Sequence, residues 1–385
     1  MKYDVVIVGG GLAGLALACA LRDSRLKIAL VEGRAPTRPE GWDARIYAIS
    51  PANASFLVDI GVWKHLDPAR IAPVRAMAVH GDGDSRLDFS AYETGVAELA
   101  WIAESSLMAG ELWENVKRQG NVDLFCPAKP QDLEFRADAA LLHLEDGTSL
   151  SARLVVGADG RESWVRNRAG LAAHYSPYGE MGVVANFNTT QAHRDVAYQW
   201  FRDDGVLAYL PLPGNRMSIV WSTPDVHAQE LLALPPAEFC ARVAAAGNHT
   251  LGDLELITPP AAFALKLMRV PQPVAPRLAL IGDAAHGIHP LSGHGINLGY
   301  RDAQTLAQIL CECPAWRDIG EERLLARYRR ARREEVTLLQ TTTDGLRRLF
   351  RENLPGLKTL RNAGMNLLNR QPIVKSALVR YALES

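Results

Sequence analysis

No run of apolar residues in this chain approaches the roughly 20 that a helix needs to cross a bilayer, so a membrane-spanning protein is not expected. An excess of one charge is also missing, since 42 Lys and Arg face 43 Asp and Glu for a formal net charge of -1. That balance argues against a nucleic-acid footprint over the whole surface, although a local basic patch survives such an average. Cysteine is scarce. Cys19, Cys126, Cys240, Cys311 and Cys313 are odd in number and contain no Cys-x-x-Cys pair, which suits reduced thiols in the cytoplasm. Met1-Lys2-Tyr3-Asp4 runs straight into a strand pattern without a cleavage site, so no signal peptide is expected.

What is present starts at once, with "YDVVIVGGGLAGLALACALRDSRLKIALVE". Residues 5–8 are an uninterrupted apolar run, the mark of a strand covered on both faces. Gly9-Gly10-Gly11-Leu12-Ala13-Gly14 then forms a GxGxxG, followed by apolar residues at helical spacing and a second strand ending at Glu32. Gly9 permits the tight turn, Gly11 lets the backbone approach a pyrophosphate, and Gly14 brings helix and strand together. The helix N-terminus, with Leu12 and Ala13, favours the anion. Glu32 is placed to accept hydrogen bonds from an adenosine ribose and disfavours a 2′-phosphate. Strand, helix, second strand and acid in register make a dinucleotide site a strong reading, with NAD and FAD both open.

Two later strands end in the same chemistry. Residues 154–157 lead into "GADGRESWVR", with Asp159, Gly160, Ser163 and Arg166, and residues 278–281 lead into Gly282-Asp283. Three strand ends carrying glycine and an acid point to one dinucleotide site assembled from distant parts of the chain. No second GxGxxG with a following acid exists, so a reductant would bind transiently. His286, His289 and His294 lie within nine residues but lack the fixed spacing of a metal site, and no metal is expected.

Taken with "DARIYAISPANASFLVDIGVW", "GDAAHGIHPLSGHGINLGYRD" and "LRRLFRENLPGLKTLRNAGMNLL", these motifs give a resemblance over essentially the whole chain. The chain resembles the group A flavoprotein aromatic hydroxylases, and within them the ubiquinone-biosynthesis ring hydroxylases of the UbiH, UbiI and UbiF kind. The resemblance implies an α/β fold: a Rossmann-like FAD-binding domain, an inserted antiparallel β-sheet substrate domain as in p-hydroxybenzoate hydroxylase, and a helical C-terminus. It implies FAD held by Gly9, Gly11, Leu12, Ala13, Gly14, Glu32, Arg45, Asp159, Gly160, Asp283, Gly295, Ile296 and Asn297. Asp283 would bond the ribityl chain, and Arg45 would lie beside the flavin's edge. Pro290, Gly293, His294 and Gly295 would pass beside the isoalloxazine as the catalytic segment. Gly295, Ile296 and Asn297 would begin a helix whose dipole stabilises the reduced ring's negative charge. Glu104 and Ser105 match a stretch that touches the pyrophosphate in relatives.

The activity so implied is hydroxylation of a polyprenyl phenol or quinone precursor with NAD(P)H and dioxygen, through a flavin 4a-hydroperoxide. An oxygen-independent FAD reductase of a prenyl substrate, a hydroxylase of another small aromatic and an idle FAD-binding subunit remain alternatives. The expected partners are a hydrophobic polyprenyl aromatic substrate, dioxygen and other ubiquinone-biosynthesis proteins, with no nucleic acid.

Expected domains are FAD-binding at 1–72, 103–172 and 273–340, substrate-binding at 73–102 and 173–272, and helical at 341–385. Residues 74–80, 86–89, 181–188, 197–201, 206–210 and 217–222 have strand patterns, separated by Gly81-Asp82-Gly83, Asp203-Asp204-Gly205 and Pro213-Gly214-Asn215. Tyr198, Trp200, Tyr209, Leu210, Pro211 and Trp221 are candidate pocket lining, or ordinary core. From Arg323 through Arg333 the chain is rich in arginine, and 341–385 interleaves basic with apolar residues. Such helices sit on anionic lipid, on a partner, or against the FAD domain with one face solvated. The expected location is cytoplasmic, with peripheral contact at the inner face of the membrane.

Overall fold

The computed structural model describes residues 1–37, 39–289, 295–351 and 356–384. Its first sheet has a parallel centre, in spatial order Leu278–Leu280, Ser149–Gly157, Lys2–Val8, Ile28–Val31 and Val122–Phe125. The apolar run at 5–8 is divided between two cores. Val5 and Ile7 point into one, while Val6 and Val8 point into the other. A strand buried on both faces has no polar alternation to spare, which is why its sequence lacks one. Helix Leu12–Ala20 covers the first core together with Ser105–Lys117 and Gly295–Cys311.

The second sheet has nine strands. Its main path runs His286–Gly287, Ala261–Arg269, His174–Thr189, Arg216–Pro224, Gly205–Leu212, Val196–Arg202, Ala76–His80 and Arg86–Ser90. Two sequence expectations change here. Residues 74–80 are not one strand: Ala72–Val74 pairs with Ala100–Glu104 in a separate three-stranded sheet, and only Ala76–His80 joins the large one. The break falls at Arg75, whose N–H donates to the Asp195 carbonyl (2.8 Å) and whose guanidinium meets Asp195 at 3.1 Å. Nor is the sheet wholly antiparallel, because Ala76–His80 lies parallel to Val196–Arg202. Between those two strands the chain contributes Val122–Phe125, Pro130–Phe135, Ala140–Leu144 and Ser149–Gly157 to the first sheet, and a long crossover of that kind permits parallel pairing.

The C-terminal helices are Glu322–Arg351, Leu357–Asn369 and Pro372–Glu384. Glu322–Arg351 packs on Gly295–Cys311 and on strand Val274–Ala275 of the first sheet, and beyond it the ties run to the second sheet. The Phe350 and Phe201 rings stack with centroids 3.8 Å apart, and Met365 and Leu368 pack over Val79 and Leu87. Arg361 is buried in an ion pair with Asp82, while Asn362 donates to the same carboxylate at 2.8 Å. The last helix also packs on Pro51–Asp59. Among the described residues no helix is long and apolar enough to cross a membrane.

Candidate functional site

The glycine turn has the geometry its spacing implies. Gly9 has φ of +109°, and a Cβ there would lie 2.4 Å from the Ala158 carbonyl oxygen. A Cβ on Gly14 would stand 2.1 Å from the carbonyl oxygen of Gly9, so only glycine lets the helix start this close to the strand. Gly11 differs, for a Cβ there meets nothing within 4 Å. Its free side faces a cavity of about 1470 Å³, which Leu12 and Ala13 also line. Glu32 stands behind the turn, accepting the N–H of Gly10 at 2.5 Å and that of Arg34 at 2.9 Å.

Eight of the residues singled out in the sequence line this one cavity together with Gly11: Leu12, Ala13, Arg45, Gly160, Asp283, Gly295, Ile296 and Asn297. Gly9, Gly14, Glu32 and Asp159 do not line it. Asp159 uses its carboxylate locally, accepting from Ser163 Oγ (2.5 Å) and from the Val165 N–H (3.0 Å). Ser163 in turn caps helix Trp164–Arg168 by accepting the Arg166 N–H at 2.9 Å. Arg166 is fully buried and donates to the carbonyls of Ala284 (3.0 Å) and Arg161 (2.9 Å). The D-G-x-x-S-x-x-R pattern therefore ties one cavity loop to another, and Gly160, Arg161 and Asp283 are what it presents. Arg161 and Asp283 face each other at 3.7 Å.

Arg45 immediately precedes strand Ile46–Ile49, and its exposed side chain lines the cavity. The expectation for Glu104 and Ser105 divides. Ser105 lines the cavity, whereas Glu104 is completely buried, pairs with Arg70 at 2.6 Å and accepts the Asp43 N–H at 2.7 Å. Glu104 is thus an internal anchor for the Arg45 loop. Tyr47 lies beside it, and burial pushes its phenol up from the usual range.

Helix Gly295–Cys311 begins at the cavity. Asn297 fixes its first turn, accepting the Ser50 N–H at 3.0 Å and donating to the Ala48 carbonyl at 2.8 Å. Pro290, Gly293 and His294 lie outside the described residues. The other two histidines of the motif face different partners. His286 Nε2 is 2.6 Å from Asp302, and His289 Nε2 is 3.4 Å from Glu180. Asp302 also accepts the Gly282 N–H (2.9 Å) and Arg332 Nε (2.7 Å). Burial would push its carboxyl up, but His286 and Arg332 outweigh that and hold it below the usual range. Arg332 was legible only as part of a basic run. Its spacing from buried Leu325 and Tyr328 puts it on the inward face of the helix, the signal that could have found it.

Glu180 receives two bonds from Arg347, at 2.8 and 3.1 Å, besides facing His289. Burial raises this carboxyl, but His289 and Arg347 together bring it down to about 2. A depressed carboxyl stabilises the fold above its unfolded value and loses that stabilisation as pH falls. The contribution, about 3 kcal/mol, should therefore vanish between roughly pH 4.5 and pH 2. Acid titration of Glu180→Gln, followed by circular dichroism, should lack this part of the wild-type transition. An identical acid limb in both proteins rejects the assignment.

The large sheet supplies the opposite wall. Ala261, Val184, Val220, Ala208 and Gln199 are successive cross-strand partners and all line the cavity. Trp200, Tyr209 and Trp221, read as candidate lining, instead belong to the core beneath helices Asp225–Ala233 and Pro236–Ala246. Tyr198 and Leu210 reach the cavity.

Comparison with known proteins now bears on this arrangement. The sequence model of a family described as FAD binding domain matches residues 2–343. The ubiquinone hydroxylase UbiL of Rhodospirillum rubrum is 35% identical, over 99% of this chain and 89% of its own length. The 3-demethoxyubiquinol 3-hydroxylase of Escherichia coli is 33% identical over 99% of this chain and 98% of its own. The chain belongs to this family of FAD-dependent hydroxylases. Its fold is shared with solved monooxygenases: p-nitrophenol 4-monooxygenase from Pseudomonas putida superposes with a TM-score of 0.80 at 18% identity, covering 100% of this chain and 99% of that one. Pseudomonas aeruginosa PqsL, in complex with 2-aminobenzoylacetate, gives 0.80 at 22%, covering 95% and 99%. The hydroxylase's own residues fit the family's cofactor. Gly11 and Gly295 leave open space where backbone must approach a ligand, and the N-terminus of a 17-residue helix opens on the same cavity.

Proposed function

We propose that this hydroxylase adds oxygen to the aromatic ring of a polyprenyl phenol or quinone precursor in ubiquinone biosynthesis, consuming NAD(P)H and dioxygen. The observation that carries the reading is the single cavity. The turns after three strands of the parallel sheet open into it on one side, and an aliphatic floor closes it on the other. At about 1470 Å³ it exceeds the roughly 300–1,000 Å³ typical of one ligand, as a site for both cofactor and substrate must.

When bound, FAD supplies electron transfer from NAD(P)H and the activation of dioxygen. The chain supplies the rest. Gly11, Leu12 and Ala13 offer backbone N–H groups and a helix N-terminus to the pyrophosphate. Asp283, Gly160 and Arg45 line the same cavity and would hold the cofactor there. Gly295, Ile296 and Asn297 begin a second helix at the cavity, and the dipole of its N-terminus would stabilise negative charge on the reduced cofactor. Pro290, Gly293 and His294, which the resemblance makes the catalytic segment, lie outside the described residues. The floor of Ala261, Val184, Val220 and Ala208 keeps water from the reacting oxygen. No side-chain nucleophile is required.

A second part of the cavity suits the isoprenoid chain. Met77 and Phe89 from the sheet and Leu346, Val379 and Leu383 from the C-terminal helices, all apolar, line the same cavity. The exposed leucines Leu360 and Leu367, with Arg370 nearby, are the surface through which these helices would touch lipid.

The test is incubation of FAD-loaded protein with 2-prenylphenols of increasing chain length, NAD(P)H and isotopically labelled dioxygen. Label should enter the ring, and KM should fall as the chain lengthens, since each buried methylene adds about 0.8 kcal/mol. Double-bond reduction without oxygen would establish the reductase instead, and NAD(P)H oxidation indifferent to any phenol would establish an idle flavoprotein.

A further inference from the structure

Within the cross-strand row that forms the cavity floor, four side chains are Ala or Val and the fifth is Gln199. Gln199 is 6% exposed and belongs to the cavity lining. Its neighbours on the same face are set by the pairing: Ala208 on one side and Val79 on the other. Along its own strand, Ala197 and Phe201 share that face, Ala197 in the cavity and Phe201 beneath Phe350. None of these side chains can accept or donate a hydrogen bond. The Gln199 amide has no hydrogen-bond partner among the described residues, unlike the buried Asn186 and Gln340 amides, which donate to carbonyls. Its two donors and one acceptor oxygen are thus unclaimed by the described protein groups, on a residue that lines the cavity.

On the wall of an otherwise aliphatic cavity such an amide is left to water, and a ligand that expels that water without replacing its hydrogen bonds forfeits about 1–3 kcal/mol. An aliphatic residue would finish this floor at no such cost, so the position makes physical sense if a ligand completes the amide's hydrogen bonds. The ligand's polar atom must sit over an otherwise aliphatic surface, next to the apolar passage at Met77 and Phe89. A ring oxygen on an aromatic head that carries a hydrocarbon chain has that combination.

Resting on the functional reading above, we propose that Gln199 is the residue that recognises a ring oxygen of the aromatic substrate and so fixes which edge of the ring faces the flavin side of the cavity. The phenolic O–H donates to the amide oxygen, or the amide N–H donates to a quinone or methoxy oxygen. No bond is made or broken by Gln199, which orients and does not react. The contribution is to specificity: a site built to bond an oxygen rejects the analogue that lacks it, because the amide is then left unpaired.

The experiment compares binding of 2-geranylphenol and geranylbenzene to the FAD-loaded protein by calorimetry and by quenching of flavin fluorescence. Wild type should bind the phenol about tenfold more tightly. Gln199→Met keeps volume and removes the amide, and should bind both molecules as wild type binds geranylbenzene. Gln199→Glu keeps an acceptor and should retain part of the preference for the phenol. Retention of FAD absorbance by both variants separates this loss from misfolding. Should Gln199→Met fail to hold FAD, the Gln199→Glu comparison alone decides. A phenol preference equal in wild type and variants overturns the proposal, as does a wild type that binds the two molecules equally. Protein that holds FAD and binds neither molecule removes the functional reading, and this assignment with it.

Discussion

Gly14→Val should yield colourless, destabilised protein, while Gly11→Val should yield colourless protein that is otherwise intact. The two glycines stand three residues apart in one turn, yet the space around them differs completely. A Cβ at position 14 would sit 2.1 Å from the Gly9 carbonyl oxygen and 3.0 Å from Ala158 Cβ. The first of these is backbone and cannot swing away, so helix and strand must separate. Overpacking of this kind costs typically 1–3 kcal/mol, and here about 3 or more because the strained atom is a carbonyl. Position 11 has φ of -74° and ψ of 178°, a conformation any residue adopts, and its Cβ meets nothing within 4 Å. Gly11→Val should change the stability of flavin-free protein by no more than about 0.5 kcal/mol. Yet the added methyls stand where a pyrophosphate must reach the backbone N–H groups. Losing one or two hydrogen bonds to a charged group lowers FAD affinity about 10- to 100-fold. Thermal unfolding of apo-protein and flavin titration, run on both variants, check the pair. Unfolding of Gly11→Val like that of Gly14→Val would make Gly11 a packing residue, and undiminished FAD binding by Gly11→Val would move the pyrophosphate elsewhere.

That contrast also shows what the sequence could and could not reveal. GxGxxG between two apolar strands is a local constraint, because close approach and positive φ leave glycine as the practical choice, so the turn was legible residue by residue. The three strand ends were legible for the same reason. The wide sheet was legible in strand positions but not in its faces. Along 205–212 both alternating sets are apolar, so nothing local distinguished Tyr209, in the core, from Ala208, in the cavity. The two faces differ in what covers them, helices 225–246 or the cavity, and that is a property of chain topology. Asp302, Arg332, Glu180 and Arg347 were illegible as partners because their ion pairs join residues 30 and 167 positions apart. An isolated arginine in a helix is usually solvated, and only the tertiary fold turns these inward.

Replacing Asp302 with leucine should be the most destabilising single change at the charged centre of the molecule. The carboxylate is completely buried and serves three donors: the Gly282 N–H, His286 and Arg332. Removing it leaves Arg332 buried, with Glu335 as its remaining carboxylate and a 3.4 Å approach to the Leu298 carbonyl. Breaking a buried pair by deleting one partner costs about 3–5 kcal/mol, because the surviving charge is not resolvated. The pH signature follows from the depressed carboxyl. Its stabilisation is present above the ordinary carboxylate range and is lost as pH falls through the lowered value, so the Asp302→Leu deficit should shrink in acid. Removing the stranded partners as well, in Asp302→Leu/His286→Leu/Arg332→Met, should recover much of the stability, since apolar replacement of a buried ionic cluster is often neutral or better. Flavin binding should not recover with it. Gly282 has φ of +59°, its N–H loses its acceptor, and the next residue is the cavity-lining Asp283. A turn freed in this way should hold FAD about tenfold more weakly even in a well-folded triple variant. Urea unfolding and flavin titration on the single and triple variants separate the two roles. Equal recovery of stability and affinity would reduce Asp302 to a packing charge, while recovery of stability alone would make it the residue that sets the cofactor turn.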